Sequence, residues 1–163
     1  MRFVERRQSA RIRELLRVFP AVLLVGPRQC GKSTLARRVL DENASASLYY
    51  NWDLREIRDA FRSDPSFFES AMRGVRTELR IPWVCFDEIH KMPKWKNILK
   101  GIFDKFETEC RFIVTGSARL DLRGALREVR GHRFRGLLPI RHLPGHLGPV
   151  SFCPRLLPPG APG

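Results

Sequence analysis

The sequence predicts an α/β fold: a three-layer sandwich in which a mostly parallel sheet lies between helices on both faces. Three observations carry this expectation. Strand-like runs at 21–25, 47–51, 83–86 and 111–115 alternate with longer stretches of helical period. A glycine-rich loop, Gly26-Pro27-Arg28-Gln29-Cys30-Gly31-Lys32-Ser33, joins the first run to the helical stretch after it. The third run ends in two acids, Asp87-Glu88. Strands and helices in strict alternation imply parallel strands joined by crossover helices, which must cover both faces of the sheet.

Each element has its own signal. Residues 1–20 form an opening helix, with Ile12, Leu15, Leu16 and Phe19 at helical spacing, arginines on the other face, and Pro20 at its end. Strand one is 21–25; the loop and a helix then run to about Leu40, closed by Asp41-Glu42-Asn43. Strand two is Ser47 to Asn51. Asp53 is expected to cap a helix reaching about Arg62, and with Arg58 it is also a candidate for a subunit contact. Asp64-Pro65 is expected to open the next helix with proline at its first position, and Phe67, Phe68, Met72, Val75 and Leu79 give that helix an apolar face. Strand three is 83–86, and His90-Lys91-Met92-Pro93 reads as a loop. Trp95 starts a helix with Ile98, Leu99, Ile102, Phe103 and Phe106 on one side. Strand four is 111–115, ended by Gly116-Ser117-Ala118-Arg119. The aromatic residues of these helices read as core.

The chemistry concentrates in three segments. The loop matches G-x-x-x-x-G-K-[ST], with a strand before it and a helix after it. Gly26 and Gly31 let the backbone curl so that successive N–H groups face phosphate oxygens. Lys32 supplies a compact positive charge to the terminal phosphates, and Ser33 a hydroxyl to magnesium. The helix start adds its positive end. Asp87, at the end of a buried strand, is the second metal residue, reached mostly through water because magnesium dehydrates reluctantly. Glu88 is the general base for an attacking water. A second acid directly after the metal acid suits hydrolysis. Ser117, at the carboxyl end of strand four, is placed to reach the terminal phosphate. His90 and Arg28 are near these segments and read as solvent-facing.

Four segments in order extend the pattern: Gly26 to Thr34, Tyr-Asn-Trp-Asp at 50–53, Phe-Asp-Glu-Ile-His-Lys-Met-Pro-Lys-Trp at 86–95, and Phe-Ile-Val-Thr-Gly-Ser-Ala-Arg at 112–119. In these the chain resembles the predicted AAA-plus ATPases of bacteria and archaea, P-loop NTPases that pair an N-terminal ATPase domain with a C-terminal domain of unknown function. The likeness covers roughly residues 5–122. It implies an ATP-binding core over Gly26, Pro27, Arg28, Gln29, Cys30, Gly31, Lys32, Ser33 and Thr34. It also implies that Asp87 and Glu88 are the Walker B pair and Ser117 the first sensor. The preference for ATP over GTP rests on the resemblance.

Composition bounds the rest. The 163 residues suit one domain, and no run of eighteen apolar residues suggests a membrane span. The arginine-rich N-terminus does not read as a secretory signal. Cys30, Cys85, Cys110 and Cys153 lack metal-ligand spacing; a thiol in the loop and another in a core strand suggest reduced cysteines and a cytoplasmic location. Cys30 reads as a small loop residue, with oxidation sensing as the alternative. The net charge is +13; residues 1–110 hold 21 basic and 15 acidic side chains, and residues 111–163 hold 9 and 2. That balance permits nucleic-acid binding, although no recognition motif accompanies it.

Residues 139–163 hold seven of the twelve prolines. His142 and His146 have the spacing of a metal pair, but Pro144 and Gly145 oppose the helix it needs. The expected organisation is therefore an opening helix at 1–20, an ATPase core at 21–122, and a divergent, poorly ordered Arg/Pro/Gly-rich tail at 123–163, as in a truncated or frame-shifted product. The leading functional expectation is hydrolysis of ATP with magnesium. A non-hydrolysing ATP switch or truncated fragment, and a basic nucleic-acid binder, are the competing readings. ATP, a homo-oligomer and nucleic acid are the candidate partners.

Overall fold

A computed structural model describes residues 2–78, 80–117 and 136–139; residues 2–7, Ser117 and 136–139 are described as backbone. Five strands, β1 (Ala21–Gly26), β2 (Ser47–Asn51), β3 (Trp83–Asp87), β4 (Arg111–Ser117) and β5 (Gly136–Pro139), form one sheet in the order β2-β3-β4-β1-β5. Every neighbouring pair is parallel. Five helices accompany them: α1 (Arg2–Val18), α2 (Lys32–Asp41), α3 (Arg55–Ser63), α4 (Phe67–Val75) and α5 (Trp95–Phe106). None is long and apolar enough to cross a membrane, among the described residues.

Strand alternation divides the interior into two cores. Val22, Leu24, Tyr49, Cys85 and Ile113 point to one face, where they meet Ile12 and Leu16 of α1 and Leu35, Ala36, Val39 and Leu40 of α2. Leu23, Val25, Tyr50, Val84, Phe86, Phe112 and Val114 point to the other, against α3, α4 and α5. All six residues of β1 are buried, as a strand covered on both faces requires. The second core is aromatic. Phe68 of α4 stands edge-on to Tyr50, Trp52 and Phe86 at centroid distances of 5.4, 6.1 and 5.6 Å, and stacks on Phe61 at 5.8 Å.

Several local expectations are corrected. Asp53 does not cap α3. The Asn51 side chain accepts the Asp53 N–H at 2.9 Å, and the resulting turn puts Leu54 in the cap position. The Asp53 carboxylate instead pairs with Lys91. Pro65 lies outside α4, because Asp64 Oδ1 accepts both the N–H and the hydroxyl of Ser66, and the helix begins after that turn. α4 stops at Val75, so its reach is one turn shorter than the apolar spacing suggests; Leu79 lies outside the described residues. Residues Ile89–Lys91 form a 3-10 turn where a loop is expected. Gly116 and Ser117 continue β4, held in register against Val25 and Gly26. The expected tail at 123–163 supplies β5, whose Leu137 and Leu138 pair with Leu23 and Leu24. His142, His146 and Cys153 lie outside the described residues.

Phe68 meets five rings at the centre of the aromatic core, so Phe68→Ala is expected to cost about 3–5 kcal/mol. Val18 is 73% exposed, and Val18→Ser should stay within about 0.5 kcal/mol. Urea unfolding of both variants checks the contrast; equal losses would contradict the layer assignment.

Candidate functional site

The loop between β1 and α2 turns on Gly31. Its φ of 87° lies in the left-handed region that favours glycine. Its carbonyl accepts the Leu35 N–H at 2.9 Å, which starts α2. Gln29 is also left-handed, at φ 59°. Curled backbone of this kind brings N–H groups together around an anion. Gly26 ends β1, opposite Ser117 in the β4 register. Pro27, Arg28 and Gln29 are exposed, Cys30 is buried, and Ser33 and Thr34 sit half-buried in the first turn of α2. Lys32 is only 5% exposed. Its ammonium donates to the Pro27 carbonyl at 2.7 Å and the Gly26 carbonyl at 3.2 Å, and lies 3.8 Å from Cys30 Sγ. The charge is thus folded into the loop itself, next to the positive end of α2.

Asp87 ends β3, two strands from the loop and beside β4. It is 1% exposed. Tyr49 of β2 donates its hydroxyl to Oδ2, and Thr115 of β4 donates its hydroxyl to Oδ1. The Asp87 carbonyl also accepts the Trp52 N–H at 3.1 Å. Burial, reinforced by the Asp87 charge, pushes the Tyr49 phenol far above its ordinary range, so it remains a donor. The Arg37 guanidinium lies over the Tyr49 ring, 4.6 Å from its centroid.

Glu88 leaves the sheet at once. Its φ is 54°, a left-handed conformation costing a non-glycine residue about 1–2 kcal/mol. Its N–H donates to Thr115 Oγ1 at 3.1 Å, and its carbonyl accepts the Lys91 N–H at 3.0 Å. His90 Nε2 lies 3.5 Å from Glu88 Oε2. Sequence reasoning puts His90 in solvent; the structure half-buries it against the acid.

Sequence reasoning misses Tyr49 and Thr115. Both lie on the face that carries Cys85 and Asp87, one strand to either side, so strand alternation combined with strand order would have found them. Sequence alone gives the alternation but not the order.

Burial pushes the His90 imidazole below its ordinary range; Lys91 and Arg28 act in the same direction, against Glu88 and Asp53. Its folded value is therefore lower than its unfolded value, about 6.5. Between the two the unfolded chain binds more protons, so stability is present at higher pH and is lost as pH falls through that window. His90→Gln should remove this loss. The stability of the parent relative to the variant, followed by urea unfolding, is expected to be level from pH 8 to about pH 7 and to decline as pH falls through about 6.5 and below; a difference that stays level down to pH 5 would show that His90 titrates alike in both states.

The sequence profile of a family described as an AAA domain matches residues 18–145. "Uncharacterized protein Mb2031c" of Mycobacterium bovis and "Uncharacterized protein Rv2008c" of Mycobacterium tuberculosis are each 35% identical to this chain over 127 residues. The match takes in 77% of this chain and 26% of each relative, so the chain spans about a quarter of the length of the curated relatives it matches. Among solved structures, that of C. elegans PCH-2 superposes with a TM-score of 0.53 at 16% identity, over 85% of this chain and 41% of that one, which is a likeness of fold. The profile runs from the last residue of α1 to beyond β5 and so takes in the whole sheet; the chain belongs to the AAA domain family.

Proposed function

We propose that the chain binds magnesium-ATP at the carboxyl edge of the sheet and hydrolyses it. One observation carries this reading: the ends of three adjacent strands, β3, β4 and β1, bring Asp87-Glu88, Ser117 and the Gly26–Thr34 loop to one edge. Ligands of parallel α/β sheets sit at that edge.

Family membership supports nucleotide binding, and the loop supplies the means. Its amides and the α2 terminus receive the phosphates. Lys32 turns its ammonium from loop carbonyls toward the terminal phosphate, and with three donors it keeps part of its present bonding as it does so.

The donor set suits magnesium. Ser33 and Asp87 offer hard oxygens. Asp87 accepts two hydroxyl hydrogen bonds, while a carboxylate has about four lone-pair positions. One position on each oxygen is therefore left for metal-bound water. Among the described residues no three His, Cys, Asp or Glu side chains converge; magnesium in phosphate sites takes one or two carboxylates with the substrate's own oxygens. When bound, the ion neutralises charge on the phosphate oxygens. Glu88 takes a proton from water as the water oxygen attacks the terminal phosphorus, and ADP leaves with the bridging oxygen. Ser117 holds the terminal phosphate.

Phosphate release and fluorescent-ATP binding test this together. Lys32→Ala should abolish binding. Glu88→Gln should retain binding but lower turnover by about 10²–10⁴-fold, the usual contribution of a general base. ATP binding without turnover, unchanged by Glu88→Gln, would leave a nucleotide switch in place of an enzyme.

A further inference from the structure

Asp87 is enclosed by hydroxyls from both neighbouring strands. The direction of each bond is fixed. Thr115 Oγ1 already accepts the Glu88 N–H at 3.1 Å, so its hydroxyl hydrogen is directed to Asp87 Oδ1. Tyr49, buried on the α2 face beneath Arg37, has its hydroxyl on Oδ2. One side chain, Thr115, therefore touches both the metal acid and the backbone of the base.

We propose that Tyr49 and Thr115 are positioning residues of the ATP site: together they fix the Asp87 carboxylate for magnesium, and Thr115 also couples it to Glu88. The proposal rests on the magnesium-ATP reading above. A hydroxyl on each oxygen sets the plane of the carboxylate and the lone pairs left for metal-bound water. Without one, a buried oxygen loses its partner and the carboxylate is free to turn. Partners of this kind typically change metal affinity by about 10–100-fold when removed. Thr115 has a further effect, because its oxygen is the acceptor that holds the Glu88 N–H while that residue is left-handed.

The test uses the full chain, with Tyr49→Phe, Thr115→Val and Thr115→Ser. Fluorescent-ATP binding is titrated with magnesium and repeated in EDTA; turnover is measured alongside. Tyr49→Phe and Thr115→Val should each raise the magnesium concentration for half-maximal binding by about tenfold or more, while ATP binding in EDTA stays near that of the parent. Thr115→Val should also lower kcat at saturating magnesium more than Tyr49→Phe does. Thr115→Ser, which keeps the hydroxyl, should restore both. A purely structural role would lower thermal stability and leave the magnesium dependence in place. If the parent binds ATP and all three variants share its magnesium dependence, the positioning role is overturned and the ATP reading stands. A parent with no affinity for ATP in either medium overturns the ATP reading, and the positioning role with it. If Tyr49→Phe does not fold, the Thr115→Val and Thr115→Ser pair decides.

Discussion

A carboxylate removed from water must be given hydrogen bonds, and much of this sheet is arranged to meet that need at Asp87. An unpartnered buried charge costs several kcal/mol in practice, on the order of 3–5 when one partner of a buried pair is removed. β3 alone has no means to prevent that cost, because the backbone groups of a central strand are engaged in pairing. The partners come from the flanking strands: a tyrosine from β2 and a threonine from β4. This requires β3 to lie between β2 and β4, which is the order observed. It also requires all three to run parallel in one register, so that Asn51 lies opposite Asp87 and Phe86 opposite Val114. A one-residue slip of β4 would replace Thr115 with a residue facing the aromatic layer.

The two cores differ in chemistry as they differ in position. The face toward α1 and α2 is largely aliphatic, with Tyr49 buried in it and Trp83 packed against it, and it includes Cys30 of the loop between β1 and α2. Leu35, Ala36, Val39 and Leu40 pack α2 against this face, and the five residues between β1 and α2 keep its N-terminus close to the end of β1 in sequence. The opposite face is filled by Phe61, Phe67, Phe68, Phe86, Phe103, Phe106 and Phe112 with Tyr50 and Trp52. Rings at 4.4–6.2 Å in edge-on and offset arrangements fill that space with little freedom to rearrange. The site thus has a rigid base on one side and a helix end on the other.

The elements most legible in sequence were those set by local chemistry. β1, the loop, α2 and α5 follow from an unbroken apolar run, a glycine-lysine-serine signature and helical spacing, and each forms within a residue or two of its expected bounds. Two of the misreadings, at the starts of α3 and α4, share one cause: a side chain with two local uses took the less expected one. Asn51 captures the Asp53 amide before Asp53 itself can cap α3. Asp64 captures Ser66 and delays α4 past Pro65. These are Asx turns, in which short polar side chains compete with helix starts for the same N–H groups. β5 was illegible for a different reason. Its four residues, Gly136-Leu137-Leu138-Pro139, carry little β-propensity, and their pairing is with a strand more than a hundred positions earlier. Tyr49 and Thr115 were hidden because strand order is a tertiary fact.

The left-handed backbone at Glu88 explains how two adjacent acids come to have different surroundings. In a continuing strand, successive side chains face opposite sides of the sheet. Asp87 shares its face with Cys85 and Tyr49, so an extended Glu88 would be directed into the layer of Phe86 and Phe112, where a carboxylate has no partners. At φ 54° the chain leaves strand geometry after Asp87 and enters the 3-10 turn at Ile89. Glu88 then lies beside His90 rather than among aromatic rings. The strain persists because hydrogen bonds hold both ends of the residue, its N–H to Thr115 and its carbonyl from Lys91. Backbone strain held in this way by its surroundings is typical of functional sites. Here it separates a fully buried acid, Asp87, from one that is partly exposed, Glu88.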